Sequence, residues 1–129
     1  MKQPFLVICG MILLFVIGSC KKDPVLIAGN YQTEKVFNGV SYFIELQLNE
    51  SGELSWVPLQ PIDGWPAISS KYTLIDDVLV EFSQTDGCEA AGRYLYSFDG
   101  KELTLMSDRE TCEKRMTAFS GKWQKTESK

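Results

Sequence analysis

The chain has 129 residues, 44% hydrophobic and 23% charged, with a formal net charge of -4. That length and mixture describe one globular domain, neither a disordered nor a collagen-like chain. The acidic balance excludes the basic surface that displaces counterions from nucleic-acid phosphates. The absence of histidine excludes Ser-His and Cys-His nucleophile pairs, histidine zinc sites and histidine haem ligands.

At the N-terminus, Lys2 precedes an unbroken apolar run from Phe5 to Gly18. The run is shorter than the roughly 20 residues that span a bilayer, and it fits the apolar core of a secretory signal peptide. It ends in Ile17-Gly18-Ser19-Cys20, an aliphatic residue, two small residues and a cysteine. This quartet resembles a bacterial lipobox. The resemblance implies a signal peptide over residues 1–19, a diacylglyceryl thioether on Cys20 and acylation of the new amino terminus, so that several chains hold the protein to a membrane. Residues 20–28, opening with Lys21-Lys22-Asp23-Pro24, are then a lipidated cysteine and polar tether. Lys21, in place of aspartate after the lipidated cysteine, implies the outer membrane of a bacterial cell envelope.

From residue 29 to about 127, short alternating segments recur between turn signals. Gly29 to Phe37 predicts a first strand, ended by Asn38-Gly39, a strong hairpin signal. Val40 to Asn49 alternates Tyr42, Ile44, Leu46 and Leu48 against polar residues, with Phe43 the exception. Glu50-Ser51-Gly52 turns into Glu53 to Val57, where Leu54 and Trp56 share a face. Ile68 to Ile75, the turn Asp76-Asp77 and Val78 to Phe82 form a second meander. Gly92 to Phe98, the turn Asp99-Gly100 and Lys101 to Met106 form a third.

Ser107-Asp108-Arg109-Glu110 has the form of a capping box. It predicts a short helix with Cys112, Met116 and Phe119 on one stripe, placed across one end of the fold. A last strand runs from about Ser120 to Glu127 through Trp123. About eight strands joined mainly by hairpins leave edges and a bare apolar face unless they close. The expected fold is therefore all-β: a small antiparallel up-and-down barrel with one short helix before the last strand.

With Cys9 in the signal peptide and Cys20 lipidated, Cys88 and Cys112 remain as one pair, and an oxidising compartment favours their disulfide. Closing the loop between them stabilises the fold by about 3.5 kcal/mol in the chain-entropy model.

Gly92-Arg93-Tyr94, the hairpin Asp99-Gly100, Asp108, Cys112, Arg115 and Trp123 follow Asp86-Gly87-Cys88 in order. Together they resemble the tail of bacterial lipocalin-like (calycin-type) secreted domains, with Gly29-Asn30-Tyr31 standing where lipocalins carry G-x-W. The resemblance implies an antiparallel barrel with paired cysteines. It also implies an arginine, Arg115, that packs over the first-strand aromatic Tyr31 by cation–π contact or recognises a ligand.

Tyr42, Trp56, Tyr72, Tyr94 and Tyr96, with Phe98 and Arg115, are the candidate lining for a small apolar ligand; the other reading is that the aromatics are core. Loop 58–66 carries Leu59, Ile62 and Trp65, which form either a partner-binding surface or a plug in the barrel end. The acidic pairs do not rise to catalysis. Asp76-Asp77 suits a turn and Glu110 a helix start. No metal-ligand, phosphate-loop or nucleophile motif is present, so no cofactor and no enzyme activity is expected. The expected activity is non-catalytic binding of a small apolar molecule by a membrane-anchored envelope lipoprotein. The alternative is a protein-interaction module, an inhibitor or accessory subunit, using loop 58–66 and the barrel rim.

Overall fold

The computed structural model describes residues 24–85 and 87–126. The expected signal peptide, Cys20, the first part of the tether and Asp86 lie outside the described residues. Eight antiparallel strands follow in chain order: β1 (Gly29–Phe37), β2 (Val40–Leu48), β3 (Glu53–Pro58), β4 (Ile68–Leu74), β5 (Leu79–Phe82), β6 (Gly92–Phe98), β7 (Glu102–Arg109) and β8 (Gly121–Lys125). Each pairs with its successor, and β1 meets β8 to close the barrel. A short helix, α1 (Glu113–Phe119), lies between β7 and β8. The architecture is the expected up-and-down barrel.

The hairpins form where turn chemistry dictates. Asn38 and Gly39 both take positive φ, 55° and 78°, as a two-residue turn matching strand twist requires. Asp76 Oδ1 accepts the backbone N–H groups of Val78 and Leu79, and Asp99 Oδ1 those of Lys101 and Glu102. These side chains stand in for backbone partners at both turns. The two donated N–H groups also hold the exposed Asp99 carboxyl below its ordinary value.

The antiparallel order sorts the connections to two ends. One end carries the Asn38-Gly39 turn, loop 59–67, loop 83–91 and α1; it is called the upper end here. The lower end carries the 3₁₀ turn Pro24–Ile27, the turns after β2, β4 and β6, and the end of β8. At this lower end the 3₁₀ turn Pro24–Ile27 lies within the residues expected as tether. Ile27 is buried in the core, and its carbonyl accepts the Tyr31 hydroxyl at 2.7 Å.

Inside, the barrel is filled. Trp56, Trp123, Tyr31, Tyr94, Phe82 and Phe119 are all fully buried. Phe82 meets Phe119 and Tyr94 at ring-centroid distances of 4.8 and 5.1 Å, and Tyr31 meets Phe98 edge-on at 6.0 Å. Such ring pairs add to the burial of their area. The indole N–H groups reach across to the end of α1: Trp56 donates to Ala118 O and Trp123 to Phe119 O, both at 2.9 Å.

The β1–β8 seam differs from the other ladders. Its register covers only Tyr31↔Lys125 and Gln32↔Gln124. Above it, side chains take over: Thr33 donates to Lys122 O at 2.8 Å and Lys35 Nζ to Ser120 O at 2.7 Å. Burial lowers the Lys35 ammonium from its usual value.

One expectation about the upper end is corrected. Ser107, Asp108 and Arg109 do not cap a helix; they extend β7, pairing with β6 through a register shift at Arg93/Tyr94. The ladder claims the backbone groups that a cap would have served. Helix α1 starts only at Glu113, its N-cap position Cys112 makes no side-chain cap bond, and its buried face is Arg115, Ala118 and Phe119. Of the expected stripe only Phe119 is buried, with Cys112 and Met116 half-buried. An arginine turned inward sets the helix orientation, and apolar periodicity cannot announce that.

Candidate functional site

Two features stand out: a sealed polar cluster at the upper end and apolar side chains standing outward on the barrel wall. The cluster is built by residues distant in sequence. Arg115 donates through Nε to Glu110 Oε2 at 2.6 Å and through Nη2 to Oε1 at 2.8 Å. Its other bonds go to Ser83 O at 3.1 Å and Ala90 O at 2.6 Å. Both side chains have 0% solvent exposure. Tyr94 donates its hydroxyl to Glu110 Oε2 at 2.8 Å, and the Cys112 N–H donates to Oε1 at 2.9 Å.

The bidentate fork is the strong geometry for an arginine–carboxylate pair. Burial alone raises the Glu110 carboxyl, but the Arg115, Cys112 and Tyr94 hydrogen bonds and the Arg115 charge outweigh it and hold the group below the usual glutamate value. Burial first, and then the bond to Glu110, push the Tyr94 phenol well up.

Gly92 belongs to the same assembly. A Cβ there would land on the Glu110 carboxyl group and beside Arg115 Nη2. The disulfide Cys88–Cys112 forms as expected and ties loop 83–91 to the start of α1. Arg115 binds two carbonyls of that same segment, so covalent and polar staples act in parallel. The cluster is mutually satisfied and closed to solvent, an arrangement suited to holding the upper end shut rather than touching a substrate.

The candidate ligand residues are placed as follows. Trp56, Tyr72 and Tyr94 are core, and Tyr42 and Tyr96 are half-buried against it. Three of the tyrosine hydroxyls are spent within the fold: Tyr72 on Asn49 O, Tyr94 on Glu110 and Tyr96 on Asp76 O. Arg115 is engaged with Glu110, not stacked on Tyr31. Sequence reasoning misses Glu110 as the partner because a capping box explains it locally; the burial of Arg115, which requires a carboxylate nearby, is visible only in the structure.

Loop 59–67 divides. Ile62 is buried, and Trp65 folds back against Phe37 at 4.6 Å and Trp56 at 6.1 Å between ring centroids. Lys114 Nζ sits 5.6 Å from the Trp65 ring. Ile62 and Trp65 thus fold back on the upper end, Ile62 buried and Trp65 half-buried against the core. Leu59 is exposed at 51%, and its N–H bonds Phe43 O. Phe43, which broke the alternation of β2, points outward and is 55% exposed.

On the flanking strand, Val36 is paired with Ser41, two residues before Phe43, and is also exposed. Val36 on β1, Phe43 on β2 and Leu59, the first loop residue after β3, thus stand together on one wall. The outward charges of β1, β2 and β3 are Glu34, Glu45 and Glu53, all acidic. Glu34 lies directly opposite Phe43.

A concavity of about 850 Å³ lies at the lower rim, outside the barrel, among Gly29, Asn49, Glu50, Gly100, Lys101 and Lys125. Among the described residues no His, Cys, Asp and Glu cluster is spaced to hold a metal ion, and no helix is long and apolar enough to cross a membrane. The chain matches no protein-family model, no curated protein and no solved structure.

Proposed function

We propose that this is a lipid-anchored envelope protein acting by non-catalytic contact with another protein through the Val36–Phe43–Leu59 wall of its barrel. The carrying observation is that large apolar side chains stand outward on β1, on β2 and just past the end of β3 while the interior is packed with aromatic rings. Outward apolar side chains grouped on one wall, rimmed by charge, mark contact surfaces, whereas a small-molecule site needs a concavity that buries most of its guest. Against the carrier reading stands the filled barrel axis, where the hydroxyls of Tyr31, Tyr72 and Tyr94 already have partners in the fold. The anchor rests on the Cys20 sequence context alone.

The test is photocrosslinking in the intact envelope, with benzoylphenylalanine placed at position 43 or 59 of the full chain and, as control, at position 47 on the same outer face. Adducts from 43 and 59 but not from 47 are expected. Absence of adducts from both overturns the contact surface. Native mass spectrometry of the envelope-purified protein tests the carrier: a bound small molecule released on denaturation would restore it.

A further inference from the structure

A second outward apolar row lies on the opposite wall. Leu79 pairs with Leu95 and Leu95 with Met106, so three apolar side chains stand side by side on β5, β6 and β7. Met106 is 59% exposed and Leu95 38%. The next outward row is Glu81, Arg93 and Arg109. Glu81 neutralises Arg93 at 3.1 Å, but Arg109, set directly opposite Arg93, has no ion-pair partner among the described residues. Like charges directly opposed across strands are destabilising, so an arginine here without an ion-pair partner among the described residues favours an acidic neighbour from outside. The β1–β3 wall offers one: Glu34, also without an ion-pair partner among the described residues, beside Phe43.

We propose that the partner of the β1–β3 wall is a second copy of this chain, which presents its Leu79–Leu95–Met106 wall, with Glu34 of one copy meeting Arg109 of the next. This rests on the reading of the β1–β3 wall as a contact surface. In the closed order of eight strands, β2 and β6 are four strands apart, so the two walls face opposite ways. The contact is therefore heterologous and propagates head to tail. Self-pairing of either wall is disfavoured by charge, since it sets Glu34 and Glu45 against their own copies, or Arg109 against Arg109.

The test uses the full chain in the envelope. The photoadduct from position 43 is expected to join two copies and to map to the peptide carrying Leu95 and Met106. Chemical crosslinking of the unsubstituted protein is expected to give a ladder of dimers and higher species. Phe43→Glu alone and Met106→Glu alone each give monomer only. Co-produced, they restore a dimer that stops at two, because each retains the wall the other lacks; restoration also shows that both variants fold. Adducts to other proteins alone overturn self-association and leave the contact surface standing. No adduct overturns both. Phe43→Glu dimers at the unsubstituted level overturn the heterologous geometry.

Discussion

Replacing Arg115 by methionine isolates what the buried cluster contributes. The substitution removes two bonds to Glu110 and the donors for Ser83 O and Ala90 O. It leaves a carboxylate of 0% exposure held only by Tyr94 and the Cys112 N–H. Breaking a buried pair from one side costs about 3–5 kcal/mol, against a total of about 5–15 kcal/mol for a domain. The melting temperature should fall by roughly 12–40 °C at about 4–8 °C per kcal/mol. Urea unfolding followed by tryptophan fluorescence measures the loss directly. In a double-mutant cycle, Glu110→Gln with Arg115→Met should cost less than Arg115→Met alone, since no unpaired charge remains.

The pH dependence has a definite sign. In the unsubstituted protein the Glu110 carboxyl is held below its usual 4.5, so its stabilisation is complete above that value and is lost as pH falls through the lowered folded value. In Arg115→Met, burial without its partner raises the carboxyl instead. That variant therefore regains stability as the orphaned group takes up a proton, and the gap between the two proteins should narrow between pH 7 and pH 4. A loss under about 1 kcal/mol, or a gap unchanged across that range, refutes the reasoning.

Three further outcomes are expected. Cys88→Ser with Cys112→Ser, or reduction of the unsubstituted protein, should lower unfolding free energy by about 3.5 kcal/mol in the chain-entropy model, read from urea curves with and without reductant. Gly92→Ala should destabilise by about 1–3 kcal/mol, because the added methyl displaces the Glu110 carboxyl group, and Arg115→Met should mask much of that cost. Cys20→Ala should shift the protein from the membrane fraction to the soluble one and abolish metabolic lipid labelling; retention of both at unsubstituted levels refutes the anchor.

The strands were legible because period-two alternation and turn chemistry agreed. Gly29–Phe37 and Gly92–Phe98 match their expected bounds, and Asn38-Gly39, Asp76 and Asp99 turn where their side chains and φ preferences require. The helix was legible in kind but not in start or orientation. Ser107–Glu110 satisfied a local capping rule, yet pairing with β6 carried Ser107 through Arg109 onward as strand, because a tertiary ladder outweighs one local cap. The Gly92, Tyr94, Cys112 and Arg115 positions were visible as a pattern without their common cause. That cause is Glu110, which Gly92 makes room for, Tyr94 and Cys112 donate to, and Arg115 neutralises. The outer wall is half legible: in the sequence Phe43 is only a break in alternation and Leu59 only part of a loop, because the cross-strand neighbourhood that joins them is a matter of register.

The closure of the barrel bears on how its outer walls can be tested. The upper end is held by a disulfide, a bidentate ion pair and two indole bonds to the end of α1, and at the lower end Ile27 is buried and bonded to Tyr31. Phe43 and Met106 contribute to none of these and point away from the core. Substituting them changes the surface without opening a cavity or orphaning a buried group, the two main routes to large destabilisation. Being on separate walls with no shared partner, their effects on stability should be small and additive. A large non-additive effect on association, alongside near-additive effects on unfolding, is then attributable to contact between molecules. Such a separation is available because the aromatic interior, rather than the outward apolar side chains, holds the fold together.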